Sequence, residues 1–494
     1  MAFEFNQTNL TNQKSAVACQ FSTTSKFKTA DEAPAKRVLK VVATPKILNH
    51  EQLQDGFTFS GTTFVNIAYV SNGGEIEAIK GQFDWQNKTE PLDMSDTTLI
   101  PSIDDLEVSV ADDGIVINCL LTIKAVGKTS VEVKELAENE DLVTKTENVN
   151  LKTIVASGSE NFNINEDFVL PSEVEEILTT KASVIVNSTY PATDVVTVEG
   201  TCYVELFAKT AEDVTTINKQ FNFKQEVSCL GAEVGQTSQV MANVCNASVV
   251  LGEEQESETN ANLLVEVSCK VNSIDEKEFV ITTDAFCVNC ESAVLKEGLN
   301  YSAFNGINVI SDTVASSINI SQYPQFDQIK SVLVKNVAIS NVSDTESASQ
   351  IEGVVEVDVL FTNEEGQVDK REGVIPFLLP ASNGKAQVAN VVAQISNFKI
   401  RGTSDLEIIA EVHAEIMQEE DYFINFVSNI ELIESEGQDD AGIMMYVVKE
   451  NEDMFDVCRA LRVRPEQIEE QNGNKTSVQA GDKIFVYLPK SIDF

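Results

Sequence analysis

The chain has 494 residues, 43% of them hydrophobic, which is too long for one core and enough apolar material for several. Its 35 Lys and Arg stand against 78 Asp and Glu, a net charge of −43 that argues against nucleic acid and against an anionic membrane surface as partners. No apolar run reaches membrane-span length, and the opening MAFEFNQTNLTNQKSAVAC lacks the charged start and unbroken apolar stretch of a secretion signal, so the expected compartment is the cytoplasm.

Residues 1–30 are polar, rich in Thr, Asn, Gln and Ser, and predict a flexible N-terminal arm or an added edge strand. Three related units follow, expected at 31–165, 166–318 and 319–432. Each opens on a proline and then a strand: APAKRVLKVVATPKIL, LPSEVEEILTTKASVIV and YPQFDQIKSVLVKNVAI. PSEVEEIL has the composition of one helical turn. Next comes a glycine-led strand, GTTFVNIAYV from Gly61, GTCYVELFAK from Gly200 and GVVEVDVLFT from Gly353. Thr63, Val65 and Ile67, then Cys202, Val204 and Leu206, then Val355, Val357 and Val359 share one face. Asn66, Glu205 and Asp358 fall on the other, the two-residue period of a strand with one wet face.

About twenty residues after each glycine stands an aromatic or apolar pair spaced by two: Phe83 with Trp85, Phe221 with Phe223, Ile375 with Phe377. Two further strands close each unit, as in IDDLEVSVADDGIVINCLLTIKA and ISNFKIRGTSDLEIIAEVHAEI, with the acidic turn LGEEQESETNAN inserted in the second copy. The stretch from Lys128 to Phe168 is too long and too strand-patterned for a bare linker and predicts pairing with a neighbouring unit. The units read as antiparallel sandwiches or barrels. An acidic linker is expected at 433–444, around ESEGQDDAG, and a β-α-α-β module at 445–490, with Met454, Val457, Cys458 and Leu461 on one helix face.

Catalytic chemistry is poorly represented. Of two histidines, His50 lies in a turn-like NHEQ and His413 reads as a satisfied strand residue, and no nucleophile motif or phosphate-binding loop accompanies them. Most of the nine cysteines sit in strand-like runs, as buried thiols do. Cys287 and Cys290, in FCVNCES, are the one sharp spacing; lacking a second pair they are a poor zinc site and are candidate cross-linking thiols. No metal site, cofactor or enzymatic activity is expected.

The C-terminal segment resembles a LysM module, through Tyr446, Val448, Met454, Phe455, Val457, the turn at Val463, Ile468, Asn472, QAGDKI from Gln479, and Val486. Its first loop departs from that family's Pro-Gly-Asp-Thr, carrying Glu450, Asn451, Glu452 and Asp453 instead. The triplicated unit is similar to the SPOCS domain of clostridial spore coat proteins, and several such units before one LysM is the layout of spore coat morphogenetic proteins. That resemblance implies a mainly β, non-enzymatic scaffold of the mother-cell cytoplasm. It would join the assembling coat to the forming spore surface by binding the basement-layer morphogenetic ATPase through LysM. The expected partner site is the groove between the loops 450–455 and 472–478, formed by Glu450, Asn451, Glu452, Asp453, Phe455, Asn472 and Asn474, whose carboxylates repel anionic wall polymers and suit a basic protein surface. Two alternatives stay open: a glycan-binding surface protein taking peptidoglycan or chitin through LysM, and a self-assembling lattice or fibre subunit joined by edge strands.

Overall fold

The computed structural model describes residues 3–488 apart from 31, 138, 172, 212, 256–257, 289–290, 321–327, 345–348, 364–365, 381–384, 403–404 and 434–441. Among the described residues, eighteen strands fall into three sets of six. The first unit holds β1 (Phe5–Phe27), β2 (Ala35–Leu53), β3 (Gly56–Ser71), β4 (Ile76–Lys88), β5 (Ser95–Ala111) and β6 (Gly114–Leu136). The second holds β7 (Leu142–Pro171), β8 (Val174–Ala192), β9 (Val195–Thr210), β10 (Val214–Ser228), β11 (Thr237–Gln255) and β12 (Glu258–Cys287). The third holds β13 (Glu291–Asn319), β14 (Ile329–Asp344), β15 (Ser349–Thr362), β16 (Val368–Pro380), β17 (Lys385–Arg401) and β18 (Asp405–Ile433). In each unit the second, third and fourth strands form one antiparallel sheet, and the first, sixth and fifth form another, so the strand order is the same three times.

Strand pairing moves the expected limits. The first thirty residues hold β1, which pairs with β6 from Phe5 opposite Leu136 to Phe27 opposite Ile115. It is an edge strand whose outer side is polar, which hides it from a hydrophobicity reading. The stretch from Lys128 to Phe168 completes β6 and supplies most of β7. Units bounded by their own pairing therefore run 5–136, 142–287 and 291–433. Val174–Leu178, where a helical turn was expected, already belongs to β8, because pairing with β9 and burial of Val174, Ile177 and Leu178 outweigh the local helical preference of the glutamates. Of the expected acidic linker, 434–441 lie outside the described residues, and 442–444 already belong to a terminal strand.

The inner faces explain the repeat. Gly61, Gly200 and Gly353 lie in the central strands β3, β9 and β15, directly opposite Trp85, Phe223 and Phe377 of β4, β10 and β16. Each ring lies across its glycine: a Cβ at Gly200 would stand 2.5 Å from Phe223 Cζ and would also collide with the Ile185 carbonyl oxygen. Equivalent obstacles face Gly61 (Trp85 ring, Lys46 oxygen) and Gly353 (Phe377 ring, Ala338 oxygen). A ring covering a glycine in a sheet restores the packing that the missing side chain gives up. Trp85 also donates its indole N–H to Thr63 Oγ1 at 2.9 Å.

The other face of these strands is not wet. The three sheets meet back to back in a hub whose members include Ala68, Phe207 and Leu360, each seven residues after its glycine, together with Leu39, Leu178 and Leu333. A ring of polar contacts closes around it. Arg37 of the first unit pairs with Asp369 of the third, and Lys330 of the third with Asp213 of the second. Lys209 of the second donates to the Ile76 carbonyl of the first at 3.2 Å. Glu205, expected in water, is 6% exposed and paired with the equally buried Lys40 of the first unit, while its second oxygen accepts the Val334 N–H of the third at 3.2 Å. Asp358 is buried too, with burial raising its pKa.

The longest strands outrun their sandwiches. β5 leaves β6 at Lys128, β11 leaves β12 at Ile274 and β17 leaves β18 at Glu419. Beyond those points the ribbons β1/β6, β7/β12 and β13/β18 pack on one another through Leu10, Val133, Leu151, Ile281, Tyr301 and Phe426, forming a three-sided stem. This stem carries the terminal module.

Candidate functional site

The module consists of β19 (Gly442–Val447), α1 (Met454–Leu461), α2 (Pro465–Gln471) and β20 (Lys483–Leu488), with β19 and β20 antiparallel. Both helices are short, so tertiary burial has to hold them. Val448, Val457, Cys458, Leu461, Val463, Ile468, Ile484 and Val486 form the core. Asp453 caps α1: its carboxylate accepts the Asp456 N–H at 3.0 Å, and Asp456 returns the bond to the Asp453 N–H at 3.1 Å. Arg462, left-handed at φ 54°, ends the helix.

The module sits on the tip of the second unit's ribbon. Phe455 meets Phe286 edge-on with ring centres 5.3 Å apart, Lys145 pairs with Asp453 at 2.5 Å, and Arg459 pairs with Asp284. The Arg459 guanidinium lies 4.9 Å from the centre of the Phe455 ring, and Arg462 reaches Glu291 at 3.6 Å. Lys145 holds the Asp453 carboxyl below the ordinary range, and desolvation of Asp284 is outweighed by Arg459 and Lys296, so its pKa is lowered as well.

The seven residues expected to line the partner groove therefore separate. Asp453 and Phe455 are engaged with the ribbon. Glu452 closes its own loop, accepting the Lys449 N–H and the Tyr446 hydroxyl, each at 2.8 Å; these bonds, the amide first, lower its pKa. Asn472 is structural: its carboxamide donates to the Ile468 and Phe485 carbonyls and accepts the Phe485 N–H, all at 2.8 Å, stitching α2 to β20. Glu450, Asn451 and Asn474 stay exposed, as does Asp453 beside Lys145; the two asparagines adopt left-handed turns at φ 64° and 60°, a conformation asparagine tolerates.

Sequence reasoning missed the most open apolar surface of the module. Ile443 (76% exposed), Met445, Val447, Phe485 and Tyr487 lie on the outward face of the β19/β20 hairpin, with Ile443 opposite Tyr487 and Met445 opposite Phe485. Met444, Tyr446, Ile484 and Val486 take the inward face. The signal was present in IMMYVV, an unbroken apolar run where a half-buried strand would alternate.

Cysteine chemistry is subdued. Cys119, Cys202, Cys229, Cys269 and Cys458 are buried free thiols, and burial pushes Cys202, Cys269 and Cys458 up to about 12 and Cys119 to about 11, far from the reactive thiolate range. Cys287 is disulfide-bonded; Cys290 lies outside the described residues. His413 is not satisfied as expected. It stacks on Tyr203 with ring centres 4.6 Å apart, and its buried Nε2 has no hydrogen-bond partner; burial lowers its pKa. Among the described residues no cluster of three or more His, Cys, Asp and Glu could hold a metal, and no helix is long and apolar enough to cross a membrane.

Residues 173–251, which run from β8 almost to the end of β11, match the family described as SipL, SPOCS domain. No curated protein and no solved structure matches the chain. The match holds the glycine-led strand β9 and its covering Phe223, and identifies a SPOCS domain in the second unit of this protein.

Proposed function

We propose that this is a non-enzymatic scaffold of the bacterial endospore envelope, made in the mother cell, whose three β-units carry a LysM-type terminal module that recruits a protein partner. The SPOCS match supports the tie to sporulation. The observation that carries the binding role is the β19/β20 face: Ile443, Met445, Val447, Phe485 and Tyr487 are all 46–76% exposed on one contiguous surface. A monomer gains nothing by leaving such a group in water, and surfaces of this kind mark interaction sites. By resemblance, the partner is the basement-layer morphogenetic ATPase.

The decisive test is capture of that purified ATPase by the full chain and by a Met445→Glu/Phe485→Glu variant. We expect at least a tenfold loss of affinity with an unchanged melting temperature, since both side chains already face water. A Glu450→Lys/Asn474→Arg variant should bind within twofold of the parent. If the loop variant fails instead and the hairpin variant binds normally, the groove reading returns. Sedimentation with peptidoglycan or chitin and no capture of the ATPase overturns the scaffold reading in favour of a glycan anchor.

A further inference from the structure

A cavity of about 200 Å³ lies between the second and third units, walled by β8 and β9 on one side and by β14 and β17 on the other. Two kinds of wall meet in it. Val337, Val391 and Val392 give an apolar side, and Lys181, Ser183 and Asn336 give a polar one. Among the described residues none of these three polar side chains has a hydrogen bond or ion pair within the protein. Glu205, directly across the strand pair from Lys181, is already committed to Lys40 and to the Val334 N–H. Lys181 in the cavity wall and Lys40 behind it thus set two ammonium groups against the one carboxylate of Glu205, in a chain whose net charge is −43.

We propose that this cavity binds a small apolar carboxylate, its anionic end held by Lys181, Ser183 and Asn336 and its hydrocarbon body against the valines. A cavity of about 150 Å³ already accommodates benzene, so this one has room for a ring with a carboxylate attached. A monoanion matches the single uncompensated charge of Lys181, whereas a dianionic phosphate would exceed it. Burial away from water works against the Lys181 ammonium, Glu205 offsets part of that, and Lys40 adds to it, so the site gains from an anion beside Lys181. Because the walls come from two units, an occupant would also tie the second unit to the third.

Thermal melts of the full chain at constant ionic strength, titrated with benzoate, butyrate or inorganic phosphate, test this. We expect a saturable rise in melting temperature with benzoate, weaker with butyrate, that is lost in Lys181→Met and in the cavity-filling variant Val337→Phe. Should Lys181→Met not fold, the Val337→Phe comparison decides alone. An equal rise in parent and variants, or no rise, overturns the site. A saturable rise with phosphate alone that depends on Lys181 overturns the carboxylate assignment.

Discussion

The two faces of the central strands β3, β9 and β15 obey different rules. On the inner face the pattern is repeated: a glycine, a ring lying across it from the neighbouring strand, and apolar residues at every second position, as in Val204 and Leu206 or Val357 and Val359. Each inner face packs into its own unit's core, so one solution serves three times. On the outer face the equivalent residues are Asn66, Glu205 and Asp358, and the two acids meet different neighbours. Glu205 takes Lys40 from another unit, whereas Asp358 takes Lys370 of its own at 3.4 Å. The copies had to diverge there because three units closing a ring of unlike contacts need a defined order. A buried ion pair is a poor stabiliser but a good way to reject a wrong register.

The largest effect should come from the inner face. Gly200→Val should destabilise the protein by at least about 4 kcal/mol, because the obstacle includes a backbone carbonyl that cannot rotate aside. Denaturant titration reads it, and adding Phe223→Ala should not restore stability; a full rescue would show that the ring alone sets the requirement for glycine.

On the outer face, Lys40→Met should cost about 3 kcal/mol by leaving Glu205 buried without its cation, while Lys40→Met with Glu205→Leu should return to within about 1 kcal/mol of the parent. A double-mutant cycle measures this, and additive losses would mean that the pair contributes no specific coupling.

A third test uses Glu415 of β18, 4% exposed, whose carboxylate accepts the Val186 N–H of the second unit at 2.9 Å. Burial raises its pKa to about 7, above the unfolded value, so the folded state binds the proton more tightly and stability falls as pH rises through 7. Relative to Glu415→Gln, the parent should lose about 2 kcal/mol between pH 5 and 8, at up to about 1.4 kcal/mol per pH unit. Parallel stability curves for the two proteins would remove Glu415 as the titrating group. The smallest effect belongs to the rim: Arg37→Met, breaking a half-exposed pair with Asp369, should shift stability by about 1 kcal/mol or less and lose that effect at high salt, as melts across a salt series would reveal.

The sequence alone determined what local physics repeats. Gly61, Gly200 and Gly353, their covering aromatics and the two-residue period announced three like units, because a strand's alternation and a glycine's emptiness are written one residue at a time. The β-α-α-β order of the terminal module was legible for the same reason. Tertiary structure alone decided which water-facing positions stay wet: Glu205 looks solvated until a second unit brings Lys40 to it from 165 residues away. It likewise turned the polar β1 into part of a unit, through a partner strand more than a hundred residues on. It also drew Asp453 and Phe455 out of the expected groove, onto Lys145 and Phe286, and left the hairpin of Ile443 and Phe485 facing water. Such contacts depend on where distant segments meet, and hydrophobic periodicity carries no record of that.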